Sequence, residues 1–162
     1  MAFDSDETRA ILRFLERVGI AVVLEALAEA ETFLPAMRVR GGALVVDPAR
    51  LEWPGDLLHE AGHIAVTDPA LRPALDAVSD DPGEEMAAIA WSYAASVEIG
   101  LDPAILFHQG GYRGGASALI AAFTAGGDVG VPMLAWFGMS RERHVARREG
   151  TEPFPNMLRW LR

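Results

Sequence analysis

The 162-residue chain contains no cysteine. Disulfide bonds and thiolate-bound zinc are therefore excluded, and any metal ion must be bound by histidine and carboxylate side chains. The absence of cysteine also fits a reducing compartment, where structural disulfides are rare. We therefore expect a cytoplasmic protein.

The sequence has no apolar run long enough to cross a membrane. The most apolar stretch of its first part, residues 19–24, is followed by Glu25, whereas a membrane helix needs about 20 consecutive apolar residues. The first residues are acidic, but a secretory signal begins with a basic segment. We expect neither a signal peptide nor a membrane partner.

Basic residues are in the minority, since the chain has 14 Lys and Arg against 23 Asp and Glu, with a net charge of −9. A surface of this sign repels phosphate backbones, so we expect no nucleic-acid partner. Hydrophobic residues make up 51% of the chain, which is enough to build a buried core. The length suits one domain, and we assign residues 1–162 to it.

Apolar residues at helical spacing predict that most of the chain is α-helical. Ser5 is a candidate N-cap for a first helix, which we expect to continue to Pro35 with a bend at Gly19. Further helices are expected over residues 56–66, 84–98, 116–125 and 131–148. The segment after residue 148 contains two prolines, and we expect it to be loosely attached.

A short stretch of β-branched residues interrupts the helical pattern. Residues 37–47 alternate in polarity and predict one or two strands that turn at Gly41 and Gly42. The strand over residues 41–46 is a candidate sheet edge to which an extended peptide could add. The fold class that follows is α+β and mostly helical, with a small β-sheet and about six helices.

His59, Glu60 and His63 form an HExxH pattern inside the second predicted helix, and the chain has only two other histidines. Side chains four positions apart lie one turn apart on one helix face, so both imidazoles can reach one tetrahedral Zn²⁺ ion. Glu60 lies beside a ligand, where it can take a proton from metal-bound water and pass it to the leaving amine. The pattern predicts a catalytic zinc site. The alternative is a pair of histidines on a purely structural helix.

The HExxH pattern resembles the active-site helix of zincin-like metallopeptidases. Residues 44–95 are similar to the minimal gluzincin core, as in repressor-cleaving metallopeptidases of the ImmA/IrrE type. This resemblance implies a zincin-like fold that binds zinc and hydrolyses peptide bonds. The chain is also similar to uncharacterised bacterial proteins that share its HEAGH and EEMAAIAWSYAA patterns, and that second resemblance implies no activity.

The resemblance to gluzincins implies that a glutamate of the next helix is the third zinc ligand. In these families a small residue stands three positions after that glutamate, an aromatic residue six after it, and a small residue seven after it. Counted from Glu85 these positions hold Ala88, Trp91 and Ser92, and the fit from Glu84 is poorer. We expect Glu85 to complete the site, with Glu84 as the alternative.

The chain departs from these families at one position. An Asp or Asn often stands four residues after the ligand glutamate, where it holds one imidazole by a hydrogen bond. Counted from Glu85, that position is Ile89. The hydrogen-bond acceptor is therefore expected to come from elsewhere, or the site is expected to be weak.

Residues 109–115 contain four glycines and predict a flexible loop between two helices. Zinc peptidases need a hydrogen-bond donor for the developing oxyanion, and His or Tyr commonly supplies it. If the loop folds over the zinc, Tyr112 or His108 is the candidate donor, and the glycines are candidate hinges of a lid. The alternative is an exposed connection with a buried aromatic anchor.

Together these features predict a zinc metallopeptidase that acts on a peptide or protein substrate. Two alternatives stay open. In one, the chain is a non-catalytic zincin-like module that binds metal or regulates a partner. In the other, it is a metal-free helical scaffold. The sequence identifies neither the substrate nor the oligomeric state, and it is compatible with a homo-oligomer.

Overall fold

A small β-sheet and seven α-helices form the regular structure of residues 1–28 and 36–162, the part of the chain described by a computed structural model. The helices are α1 (Asp6–Val18), α2 (Gly55–Val66), α3 (Pro82–Glu98), α4 (Pro103–Leu106), α5 (Ala116–Thr124), α6 (Val131–Trp136) and α7 (Arg143–Glu149). The strands are β1 (Val22–Leu24), β2 (Met37–Arg40) and β3 (Ala43–Val46). The mostly helical α+β class is confirmed. None of the described helices has the length and apolar character needed to span a membrane.

The first helix is shorter than its apolar periodicity predicts. Ser5 caps α1 by accepting a hydrogen bond from the amide of Thr8 at 3.1 Å. The helix ends at Gly19, whose φ of +88° places it in the left-handed region that favours glycine at a helix C-terminus. The prediction of one helix running through Gly19 is therefore wrong, because β1 begins three residues later. Residues 29–35, the end of that predicted helix, lie outside the described residues.

The sheet has the strand order β1-β3-β2. Strands β2 and β3 form an antiparallel hairpin, while β1 pairs in parallel with β3. The hairpin turns at Gly41 and Gly42, whose φ values of +56° and +73° suit a two-residue primed turn, as the sequence predicts. Strand β3 lies between two neighbours, so the prediction that residues 41–46 form a free edge is wrong.

Helices α2 and α3 share the most extensive helix contact of the described residues, and Gly62 allows their close approach. A Cβ atom at Gly62 would lie 2.8 Å from the carbonyl oxygen of Ala88 and 3.0 Å from Oγ of Ser92. Ser92 also bridges the pair, since its hydroxyl contacts the carbonyl oxygens of Ala88 and of Leu58 at 2.6 and 3.1 Å. Small residues on both helices therefore bring α2 and α3 together.

Helix α3 is also anchored in an aromatic cluster through Trp91. Trp91 is fully buried and packs against Phe14 of α1 and Trp160, with ring centroids 5.8 and 5.7 Å apart. Its indole Nε1 donates a hydrogen bond to the carbonyl oxygen of Trp160 at 2.9 Å. Trp91 is thus a core residue that fixes the position of α3.

The end of the chain differs from the sequence-based expectation. The predicted helix over 131–148 is wrong, because it divides into α6 and α7 around Gly138, whose φ is +68°. The prediction of a loosely attached tail is wrong as well. The amide of Arg162 donates to the carbonyl oxygen of Ala65 at 3.0 Å, and Arg72 donates to the carbonyl oxygen of Arg162 at 2.9 Å. The tail therefore docks on the C-terminal end of α2.

We expect the substitution Gly62→Ala to destabilise the fold by about 1–3 kcal/mol, the usual cost of overpacking a core. The added methyl group meets a backbone oxygen, which cannot move without separating α2 from α3. Urea denaturation followed by circular dichroism measures the change in the free energy of unfolding.

Gly83→Ala is the matched control for that measurement. Gly83 also lies inside a helix, but a Cβ there meets only side-chain atoms of Asp81 and Met133, which can adjust. The control should be the more stable variant. Equal stability of the two variants would mean that the contact at Gly62 does not limit the approach of the helices.

Candidate metal centre

The two histidines of the HExxH pattern lie on one face of α2, as their spacing predicts. Their Nε2 atoms are 3.2 Å apart. The side chain of His63 is 4% exposed and that of His59 is 14% exposed, so both rings are shielded from bulk water. Two imidazole nitrogens thus converge on one point at the surface of α2 that faces α3.

Helix α3 brings Glu85 to the same point. Its carboxylate oxygens lie 3.0 Å from Nε2 of His63 and 3.7 Å from Nε2 of His59. In tetrahedral zinc sites with bonds of about 2.0–2.2 Å, neighbouring ligand atoms lie about 3.4 Å apart. One donor atom from each of the three residues lies within 4.8 Å of the others, and this donor triangle could hold a metal ion.

Glu84, the alternative third ligand, is directed elsewhere. Its carboxylate lies 3.8 Å from Nη1 of Arg162, on the side of α3 that meets the end of the chain. Successive residues of a helix point about 100° apart, so only one of two adjacent glutamates can face α2. Of the two, Glu85 lies with the histidines.

Burial at His59 and a hydrogen bond at Glu85 set the protonation of these two donors in the direction that metal binding needs. Desolvation, aided by the nearby His63, lowers the pKa of His59 to about 4 and keeps this imidazole neutral. The hydrogen bond from His63 lowers the pKa of the Glu85 carboxyl and keeps it ionised, although its partial burial acts in the opposite direction. Neutral imidazole and ionised carboxylate are the forms that bind metal ions.

The outer nitrogens of the histidines have no hydrogen-bond acceptor in the described part of the chain. Nδ1 of His59 and Nδ1 of His63 are both buried without a partner. The position at which gluzincins, which the sequence resembles, often carry an acceptor holds the buried residue Ile89, which is 7% exposed. An acceptor supplied from elsewhere, one of the two alternatives drawn from the sequence, is not found among residues 1–28 and 36–162.

Glu60 is buried beside the donor triangle, with 9% of its surface exposed. Burial raises the pKa of its carboxyl to about 7, and the nearby His63 opposes this shift. Within the described residues, no ion pair or hydrogen bond engages its carboxylate. The carboxyl group is therefore free to interact with a molecule bound at the site.

Tyr112 covers the donor triangle from the glycine-rich segment. Its ring meets that of His59 edge to face, with the centroids 5.4 Å apart. Its hydroxyl group is buried without a hydrogen-bond partner, and desolvation, together with the nearby carboxylates of Asp56, Glu85 and Glu60, raises its pKa. An unpaired phenol close to the donor atoms can donate a hydrogen bond to a ligand there.

His108, the other candidate oxyanion donor, is hydrogen-bonded to Asp56. Its Nε2 is 2.7 Å from Oδ1 of Asp56, and its ring is stacked on that of Trp53 at 4.5 Å. The imidazole is 5% exposed, and Nδ1 has no partner among the described residues. Nε2 of His108 is therefore engaged in a hydrogen bond with Asp56. Asp56 belongs to none of the functional motifs found in the sequence.

Asp56 gives a weak signal in the sequence. It stands in the first turn of α2, where an acidic residue is ordinarily explained by the helix dipole. Its position four residues before Glu60 puts it on the same helix face as that carboxyl group, and this spacing is the only local clue. The hydrogen bond between Asp56 and His108 joins residues that are 52 positions apart, so no local sequence pattern indicates it.

Comparison of the chain with protein-family models, with curated proteins and with solved structures finds no match. The assignment of a metal centre therefore rests on the geometry of His59, His63 and Glu85.

We expect the purified chain to bind one divalent metal ion, and the substitutions His59→Ala and Glu85→Ala each to abolish that binding. Each substitution removes one corner of the donor triangle. Metal content after dialysis, measured by inductively coupled plasma mass spectrometry, tests this. Metal at about 100 times its dissociation constant should also raise the free energy of unfolding of the unsubstituted chain by about 2.7 kcal/mol.

Glu84→Ala is the control, because Glu84 is adjacent in sequence but points to Arg162. This variant should keep its metal. Loss of metal from Glu84→Ala but not from Glu85→Ala would reverse the assignment of the third ligand.

Proposed function

We propose that the chain is a zinc-dependent metallopeptidase that hydrolyses peptide bonds. The observation that carries the proposal is the triangle of His59, His63 and Glu85 beside the buried carboxyl group of Glu60. A purely structural metal site has no use for a second, non-ligating carboxyl group, whereas hydrolysis needs a base at that position. The resemblance of the sequence to the gluzincin core supports the same activity.

Zinc is the metal that best suits these donors. Two imidazoles and one carboxylate match the His₂Glu set of catalytic zinc sites, which leave one position open for water or substrate. Calcium and magnesium prefer sites built from oxygen atoms alone, so the two imidazole donors disfavour them. Zinc in such a site polarises a carbonyl group and lowers the pKa of water.

Glu60 is assigned the proton transfers of the reaction. It accepts a proton from the attacking water, whose oxygen forms a bond to the carbonyl carbon of the peptide. It then delivers this proton to the amine nitrogen as the carbon–nitrogen bond breaks. Its exclusion from bulk water keeps the proton at the site between the two steps.

Tyr112 is assigned the stabilisation of negative charge on the carbonyl oxygen. Its buried hydroxyl has no other partner in the described part of the chain, so it can donate to an oxyanion without breaking an existing hydrogen bond. Its ring contact with His59 supports this assignment, because it places the phenol beside the donor triangle.

A second candidate is a non-catalytic metal module, which the burial of both imidazoles favours. In this case the ion would stabilise the contact between α2 and α3, since its ligands come from both helices. The substitution Glu60→Gln separates the two candidates, because it leaves the three ligands in place.

We expect Glu60→Gln to bind metal as the unsubstituted chain does and to lose peptide hydrolysis by at least about 100-fold. Gln has the size of Glu but cannot accept and return a proton. Hydrolysis is measured on a library of quenched fluorescent peptides, with new amino termini identified by mass spectrometry, and metal content is measured on the same samples.

The outcome of this experiment is decisive only with zinc bound. No cleavage by the zinc-loaded unsubstituted chain, across the whole library and with full metal content, would favour the non-catalytic module. Equal cleavage by Glu60→Gln and the unsubstituted chain would contradict the role given to Glu60.

We expect Tyr112→Phe to lower kcat by about 100-fold or more while KM changes little, as for loss of one oxyanion donor. The phenyl ring keeps the contact with His59, so only the hydroxyl is removed. Steady-state kinetics on one cleaved peptide test this. Tyr93→Phe is the control, because it removes a hydroxyl from the same aromatic cluster, in which Tyr93 reaches Tyr112 only through Phe107, and it should leave kcat unchanged.

A further inference from the structure

The segment that carries Tyr112 is wrapped around the imidazole of His108. A Cβ atom at Gly111 would lie 3.2 Å from both Cε1 and Nε2 of this ring. A Cβ atom at Gly110 would lie 3.3 Å from its Nδ1 and 3.1 Å from Nε1 of Trp53. Larger residues at these two positions would push the segment away from the ring, so the glycines allow a close backbone contact with His108.

His108 is itself fixed on two sides. Asp56 of α2 holds its Nε2 at 2.7 Å, and the ring of Trp53 lies parallel to the imidazole, with an angle of 6° between the planes. The side chains of His108 and Asp56 are 5% and 15% exposed, so this hydrogen bond is shielded from competing water. His108 is thereby tied to the same helix that carries His59 and Glu60.

The backbone continues from this anchor directly to Tyr112. The amide of Gly111 donates to the carbonyl oxygen of His108 at 3.2 Å, and the amide of Gly115 donates to that of Tyr112 at 2.9 Å. Tyr112 and Arg113 have φ values of +55° and +50°, which side-chain-bearing residues rarely adopt. Such a conformation persists only where surrounding contacts enforce it.

We propose that Asp56 and His108 form a positioning pair that holds the glycine-rich segment closed and keeps the hydroxyl of Tyr112 over the metal centre. The proposal rests on the function proposed above, since Tyr112 needs positioning only if its hydroxyl acts there. The pair itself does not touch the substrate. Nε2 of His108 is hydrogen-bonded to Asp56. The pair affects the reaction only by positioning Tyr112.

The pair links the segment to the catalytic helix. Asp56 stands three residues before His59 and four before Glu60, on the first turn of α2. One hydrogen bond therefore connects the segment that carries the oxyanion donor to the helix that carries the proposed base and two ligands. Breaking this bond should release the segment and leave the ligands where they are.

Hydrogen exchange of backbone amides tests the proposal without any need for activity. In His108→Phe the ring can still stack on Trp53, but the hydrogen bond to Asp56 is lost. The amides of Gly111, Gly114 and Gly115, which are bonded within the segment, should exchange at least about 10-fold faster than in the unsubstituted chain. Metal affinity, measured by competition with a zinc chelator, should stay within about 2-fold because no ligand is altered.

Two further variants isolate the hydrogen bond. His108→Gln places an amide nitrogen near the position of Nε2 and should restore slow exchange, because it can again donate to Asp56. His144→Phe is the matched control, since the side chain of His144 is 69% exposed, and it should leave exchange of the segment unchanged. Equal exchange rates in His108→Phe and the unsubstituted chain, or no restoration by His108→Gln, would overturn the proposal.

The same bond can be broken from its other side if His108→Phe does not fold. Asp56→Ala should accelerate exchange of the same three amides, and the double variant with His108→Phe should exchange no faster than the faster single variant. Additive effects in the double variant would contradict a direct pair.

Activity then separates this inference from the proposed function. If the zinc-loaded chain cleaves peptides, His108→Phe should lower kcat more than it raises KM, and Tyr112→Phe should add nothing further.

An inactive zinc-loaded chain would leave the exchange result standing and would refute only the metallopeptidase assignment. Normal exchange in an active enzyme would refute only the positioning pair. The two proposals can therefore fail separately.

Discussion

The candidate metal centre depends on how closely α2 approaches α3. Two donors come from one helix and the third from the other, so the size of the donor triangle is set by the distance between the helix axes. Gly62 controls this distance, because a single methyl group there would meet the backbone of Ala88. Gly62 lies between Glu60 and His63 in the HExxH pattern, and it is therefore a residue that serves helix packing. The candidate metal ligands His59 and His63 and the packing contact at Gly62 lie in the same few positions of the sequence.

The same helix packing determines the electrostatics of the site. Shielding from water keeps His59 neutral and raises the pKa of Glu60, since burial disfavours the charged form of both groups. At Glu85 the hydrogen bond from His63 outweighs the effect of burial and lowers the pKa of the carboxyl group. Its side chain is 43% exposed, it lies in the first turn of α3, and it is hydrogen-bonded to His63. Acidic groups are stabilised near a helix N-terminus, which also favours the ionised form. The carboxyl groups of Glu85 and Glu60 thus lie in different environments. That of Glu85 suits a metal ligand, and that of Glu60 suits a base.

Local patterns predict the parts of the structure that local interactions determine. The HExxH helix, the helix that carries Glu85 and the hairpin turn all follow from spacing, capping and glycine placement, and the structure has them within a few residues of the expected bounds. The breaks at Gly19 and Gly138 do not follow, because the apolar periodicity continues across both positions. Each break uses a positive φ and hydrogen bonds to the preceding turn, and packing of distant segments decides whether the helix ends there. The hydrogen bond between Asp56 and His108 joins distant positions, so no local pattern could predict it.

The glycine-rich segment shows why composition alone gives an incomplete account of a loop. Its glycines suggest flexibility, and a flexible lid would need them as hinges. In the structure, Gly110 and Gly111 are instead sites of close contact with the ring of His108, and the segment has hydrogen bonds of its own. Glycine here permits an approach that a side chain would prevent, and that approach orders the segment. A donor on an ordered segment is already oriented toward its ligand, and fixed donors stabilise developing charge better than mobile ones because they need no reorganisation. On the proposal made above, the edge-to-face contact of Tyr112 with His59 depends on this order.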